Sequence, residues 1–176
     1  TSPTPPRRIV TLQRWALAAG VVLVVAGRES LHEGWTVVGG SLVAASLAVV
    51  AVLLIDVRRT AHTPRFAPAI EAYVLAIAGA LVGIVLGVGL SSRAMPDGSR
   101  NAHILVNLFG FVGVVIAGTL PYFTATQARM KMAPRTSPAR LRAASAVLWT
   151  AAIVAAVAAY RRHDDVAAVA IACYGL

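Results

Sequence analysis

Hydrophobic positions along this chain neither alternate nor recur on one face; they come in long unbroken runs separated by short arginine-bearing connections. A helix rises about 1.5 Å per residue, so crossing a hydrocarbon core of about 30 Å takes roughly 20 apolar residues. Trp35–Ile55 and Ala72–Ser92 are each uncharged for 21 residues, Asn101–Ala128 for 28 and Ala143–Tyr160 for 18. Trp15–Gly27 is too short alone; extended back to about Ile9, with Arg14 snorkelling toward the headgroups, it makes a first span. A last run, Val166–Leu176, has 11 residues, enough for about half a bilayer. The pattern therefore predicts an all-α polytopic transmembrane bundle of about six helices, at 9–27, 35–55, 72–92, 101–128, 143–160 and 166–176, the last incomplete as the sequence stands. Residues 1–8, with three prolines and no apolar face, are expected to be a disordered cytoplasmic segment.

Composition agrees: 58% hydrophobic, 13% charged and a mean hydropathy of +0.74 exclude a soluble globule. The net charge of +9 would suggest nucleic acid in a soluble protein. Here the cations lie between spans, and they sort by side. With the N-terminus inside, eleven (Arg7, Arg8, Arg14, Arg58, Arg59, Arg65, Arg129, Lys131, Arg135, Arg140 and Arg142) are cytoplasmic. The other side holds Arg28, Arg93, Arg100, Arg161 and Arg162, balanced by Glu29, Glu33, Asp97, Asp164 and Asp165. The excess is an orientation signal, and nucleic-acid binding has no support. Fifteen of the sixteen cations are arginine, a bias that reads as GC-rich bacterial coding and places the protein in a bacterial inner membrane. Arg7-Arg8 ahead of an apolar run has the look of a twin-arginine signal, but no small-x-small cleavage site precedes Glu29, so an uncleaved anchor is the expectation. Cys173, the only cysteine, rules out an internal disulfide.

Two spans carry candidate chemistry. In the third, Gly79, Gly83 and Gly87 recur every four residues along one side of a helix. Such a stripe lets another helix approach closely, within the chain or in a homodimer, or lets a flat cofactor lie on it. Glu71, just after Pro68, is read as a cap-region residue favoured by the helix dipole rather than as a catalytic acid. In the fourth span, His103, Asn107, Gly110, Val114 and Gly118 fall within roughly 80° of one another at 100° per residue. Polar groups inside a span are costly to bury and are functional candidates, although an interfacial His with an Asn bonded to a neighbouring helix is an equally simple use. Pro121 is expected to kink this helix or begin its end.

The stretch from His103 through Phe109-Gly110-Phe111-Val112-Gly113 to Gly118-Thr119, followed by aromatics and Arg129, resembles the second helix of the main subunit of haem-copper oxidases and nitric oxide reductases. Similar segments occur in bacterial membrane proteins joined to cupredoxin-type copper oxidase domains. The resemblance covers about 30 of 176 residues. It implies that His103 is an axial ligand of haem b and that Gly110, Gly113 and Gly118 let a porphyrin approach; Asn107, on the same helix face as His103, joins the candidate cofactor-binding residues. The oxidase pattern also needs a histidine on a later helix for the same haem and more for copper. Spans five and six contain none, so oxidase activity does not transfer.

His32, His103 and His163 all fall on the outer side of the derived topology, at the starts of spans two, four and six, whereas His62 falls inside. Convergent imidazoles can hold copper or zinc, or one can pair with His103 across a haem. Taken singly, His32 beside Trp35 and His163 among charged residues occupy ordinary interfacial and loop positions. The expectation is a membrane component of a redox system, haem-b-binding or copper-associated, working with other membrane or outer-face redox subunits or as a homo-oligomer. The alternative is a non-catalytic subunit packing within a larger complex. Ion-coupled transport is disfavoured by the lack of a paired intramembrane charge.

Overall fold

The computed structural model describes residues 5–60, 66–92, 95–96, 98–129, 131 and 136–175, and among them every regular element is a helix. The order is α1 (Arg7–Glu29), α2 (Glu33–Thr60), α3 (Ala67–Ser91), α4 (Ser99–Gln127), α5 (Pro138–Tyr160) and α6 (Asp164–Gly175). The first five are long and apolar enough to cross a membrane, so this is a multi-pass membrane protein. At 12 residues, α6 is not.

Prolines set several helix starts, because a fixed φ suits the first turn and the missing N–H is not needed there. Pro6 precedes α1, and its carbonyl accepts the amides of Ile9 at 2.9 Å and Val10 at 3.3 Å. Arg7 and Arg8, expected in the disordered segment, are therefore in the first helical turn, while residues 1–4 lie outside the described residues. Pro68 and Pro138 occupy the first turns of α3 and α5, and Asp164 and Asp165 place negative charge at the positive end of α6. Helices α1 and α5 end alike. Leu31 (φ 56°) and Arg162 (φ 62°) turn left-handed, and the amides of His32 and His163 reach back to the carbonyls of Gly27 and Ala158, each at 2.9 Å.

Successive helices run up and down. We call the end carrying the Glu29–Glu33 and Tyr160–Asp164 turns the upper end. Helix α1 lies antiparallel on α2 through close glycine contacts: Gly20 meets Gly39 and Val43, and Gly27 meets Thr36. Lower down, Gln13 Nε2 donates to Ser46 Oγ at 2.9 Å. Helix α3 is central, touching α2, α4 and α5. The core is built of small residues, Ala72 and Ala76 with Val114, and Ala102 and Val106 with Ala156, as expected where lipid supplies no hydrophobic drive and close packing must hold the helices. Large apolar side chains such as Leu12, Trp15, Val52 and Val85 stay exposed on the outside, facing the lipid of a membrane.

Helix α4 matches the expected span closely, running through Pro121 to Gln127. It departs from the sequence reading in its winding, which from Val106 to Gly113 is that of a π-helix. From Ala102 onward its buried positions are Ala102, Val106, Gly110, Val114 and Gly118, every fourth residue. In an α-helix a step of four overshoots a full turn by about 40°, so such a series would drift off one face. The wider i→i+5 winding in its middle holds the series in line.

At the lower end Glu71 does more than sit in a cap region. Its carboxylate accepts Arg58 Nε at 3.0 Å from α2, and Arg142 Nε at 2.6 Å and Nη2 at 3.2 Å from α5. One acid thus joins three helices.

Candidate functional site

The two stretches singled out in the sequence meet each other. The glycine stripe of α3 is the surface against which the polar face of α4 packs, in antiparallel register. A Cβ built on Gly79 would lie 2.7 Å from the Gly110 carbonyl oxygen, one on Gly83 would fall on the Asn107 amide group, and one on Gly87 would lie 2.8 Å from His103 Cε1. Of the three uses open to the stripe, packing within the chain is the one the fold adopts.

Glycine at 83 also exposes its carbonyl. His103 Nδ1 lies 2.8 Å from that oxygen, and because a carbonyl only accepts, Nδ1 carries the proton and donates it. In the tautomer with the proton on Nδ1, the lone pair lies on Nε2. The Asn107 amide donates to the His103 carbonyl at 2.8 Å, where the α-helical turn gives way to the π segment, and approaches Nδ1 at 3.3 Å. The imidazole is therefore oriented by helix α3 and its own helix, with one nitrogen spare.

His103 lines a cavity of about 800 Å³ in the upper half of the bundle, bounded by residues of α1, α2, α3 and α4. This lies within the about 300–1,000 Å³ of small-molecule and cofactor sites. Val24, Val43, Ile84 and Val88 form apolar walls, Gly40 and Gly87 thin them, and Arg28 and Arg100 add positive charge. Apolar walls, one oriented imidazole and two guanidiniums suit a flat or chain-like molecule with an anionic end.

The other nominated residues are elsewhere. Gly110 is pressed against Gly79, with Ala152 beside it; Gly113 lies under Tyr174; and Gly118 meets Ala72, where a Cβ would come within 2.8 Å. Their glycine faces are filled by protein, so the approach expected for a porphyrin at these positions is taken by neighbouring helices. Gly87 and Gly40 are the glycines at the cavity. His32 is exposed and stacks on Trp35 with ring centroids 5.5 Å apart. His163 is exposed at the start of α6, where its carbonyl accepts the Ala167 amide at 3.0 Å. Among the described residues no group of three His, Cys, Asp or Glu gathers as a metal site, so the convergence of His32, His103 and His163 does not occur. Short turns hold His32 and His163 at separate helix junctions. His62 lies outside the described residues.

Sequence reasoning passed over Arg28, Arg100, Gly40 and the α1–α2 glycine contacts. Arg28 and Arg100 each stand just beyond an apolar run on the same side, which was the available signal; that both meet one cavity depends on how the fold brings four helices together. No protein-family model, curated protein or solved structure matches this chain.

Proposed function

We propose that this chain is an integral membrane component of a redox system that holds haem b in the upper cavity with His103 as axial ligand. The observation that carries the reading is the His103 ring, oriented by its Nδ1–H bond to the Gly83 carbonyl and lining a cofactor-sized cavity. Ligating histidines commonly donate their other ring nitrogen to a backbone carbonyl in this way, fixing the tautomer and raising ligand basicity. The residues fit the group: valine and isoleucine walls for a macrocycle, arginines for its carboxylates. When bound, haem supplies one-electron chemistry, tuned by its axial ligand and the polarity around it. Copper is the weaker form of the reading, since His32 and His163 stand apart from His103.

The cation asymmetry supports an upper end outside a bacterial inner membrane and an N-terminus in the cytoplasm. Electrons would then pass to an outer-face or membrane partner. The test is the visible spectrum of the purified protein expressed with haem precursor. The reading expects a reduced b-type band, its loss in His103→Ala, and its retention in His32→Ala and His163→Ala. A band unchanged in His103→Ala removes the ligand assignment.

A second reading, a non-catalytic subunit of a larger membrane complex, is favoured by an apolar groove of about 500 Å³ between α5 and α6, lined by Val147, Val154, Val169 and Cys173. A colourless preparation, with haem and copper both supplied, supports it over the first.

A further inference from the structure

The cavity carries chemistry that His103 does not use. Arg28, in the last turn of α1, and Arg100, in the first turn of α4, both line it, and neither forms an ion pair among the described residues. A smaller recess of about 230 Å³ adjoins it at the upper end, sharing Arg28, Thr36 and Ser91, with Glu33 the one acid on its wall among the described residues. Two guanidiniums beside an apolar cleft, at membrane-interface depth, favour an anionic partner. Arginine matches carboxylate and phosphate oxygens bidentately. The cleft is also open on its side: Val21, Val25 and Ile104 line it and are still 48%, 55% and 49% exposed, on surface that lipid would cover.

We infer that the cavity takes an anionic amphiphile that enters sideways from the outer leaflet, its apolar body between the valines of α1 and α2 and the walls of α3, its anionic group held by Arg28 and Arg100. This deepens the proposed function by naming the ligand class and its route, and it rests on that reading only for the choice of haem as occupant. The chemistry is shared by two sources: haem b, with two carboxylates on a flat apolar ring, and an outer-leaflet phospholipid, with a phosphodiester on two chains.

The experiment compares the wild type, Arg28→Gln/Arg100→Gln and the control Arg14→Gln/Arg59→Gln, which removes two exposed lower-end cations. Each is reconstituted in nanodiscs of equal phosphatidylglycerol and phosphatidylcholine, then extracted. Native mass spectrometry counts retained phosphatidylglycerol, and a parallel haemin titration reads haem affinity. Unfolding temperature in detergent confirms that each variant is folded. The expected result is that the upper pair, but not the lower pair, weakens retention of one ligand at least about tenfold, the loss of charge-assisted bonds to an anion. If that ligand is haem, both inferences stand. If phosphatidylglycerol is retained through the arginines and haemin fails to bind, the anionic-amphiphile site stands and the haem reading falls. Equal retention of both ligands by wild type and the upper double variant, or an equal loss in the lower pair, overturns the site. Should Arg28→Gln/Arg100→Gln fail to fold, Val25→Trp decides by narrowing the side opening: unchanged loading rate of both ligands overturns the lateral route.

Discussion

At Gly79 a single methyl group has nowhere to go. Its neighbour is the Gly110 backbone, 2.7 Å from the position a Cβ would take, and backbone inside a helix cannot give way as a flexible side chain can. Gly79→Ala should cost about 1–3 kcal/mol, read as a lower unfolding temperature in detergent, whereas Gly34→Ala, which meets only the His32 ring at 3.5 Å, should be near neutral. Gly83→Leu should be at least as costly, because its side chain would displace the Asn107 amide that holds the His103 carbonyl. Leu31 offers the opposite case. A left-handed leucine carries a steric penalty of about 1 kcal/mol that glycine escapes, and its side chain is 89% exposed, so Leu31→Gly should raise stability by about that amount in the same assay. The importance of His103 and Asn107 was legible in the sequence because polar groups stand out inside an apolar run. Their partner was not: the Gly83 carbonyl is a backbone atom 20 residues away, and only the antiparallel register of α3 and α4 brings it to the imidazole.

Among the elements, α4 shows most clearly where periodicity stops being informative. Four of the six helices were readable from run length alone, since hydrocarbon thickness fixes how many apolar residues a span needs, and α1 needed Arg14 to be read as snorkelling. The π winding from Val106 to Gly113 was not, because no residue type in that run demands it. Helix α6 docks on this stretch: its Tyr174 hydroxyl donates to the Phe109 carbonyl at 3.0 Å and its ring meets Phe109 edge-on, centroids 5.0 Å apart. Tyr174→Phe keeps the ring contact and removes the bond. It should cost about 1 kcal/mol and speed amide exchange in α6 before that of α3, as read by hydrogen–deuterium exchange. At the lower end, Glu71→Gln removes an ion pair shared by α2, α3 and α5. All three side chains are a third or more exposed, so the expected loss is no more than about 1 kcal/mol and should shrink in high salt. A loss independent of salt would show that packing, not charge, joins the three helices there.

For the whole molecule, the up-and-down bundle puts Arg28, Arg100 and His103 at one end, opposite Arg58, Glu71 and Arg142. Substituted-cysteine labelling should find Ser30 reactive from outside and Ala128 from inside; the reverse result would invert the orientation drawn from the arginines. The charge asymmetry was legible along the chain, whereas the cavity was not, since its lining comes from four helices brought together by the fold rather than from any local pattern. The proposed function turns on whether the second ring nitrogen of His103 ligates haem in that cavity. The most direct measurement is chemical rescue: His103→Gly should purify without the reduced b-type band, and millimolar imidazole, added with haem, should restore it by standing in for the missing ring. A His103→Gly protein that keeps the wild-type spectrum without imidazole would contradict the account.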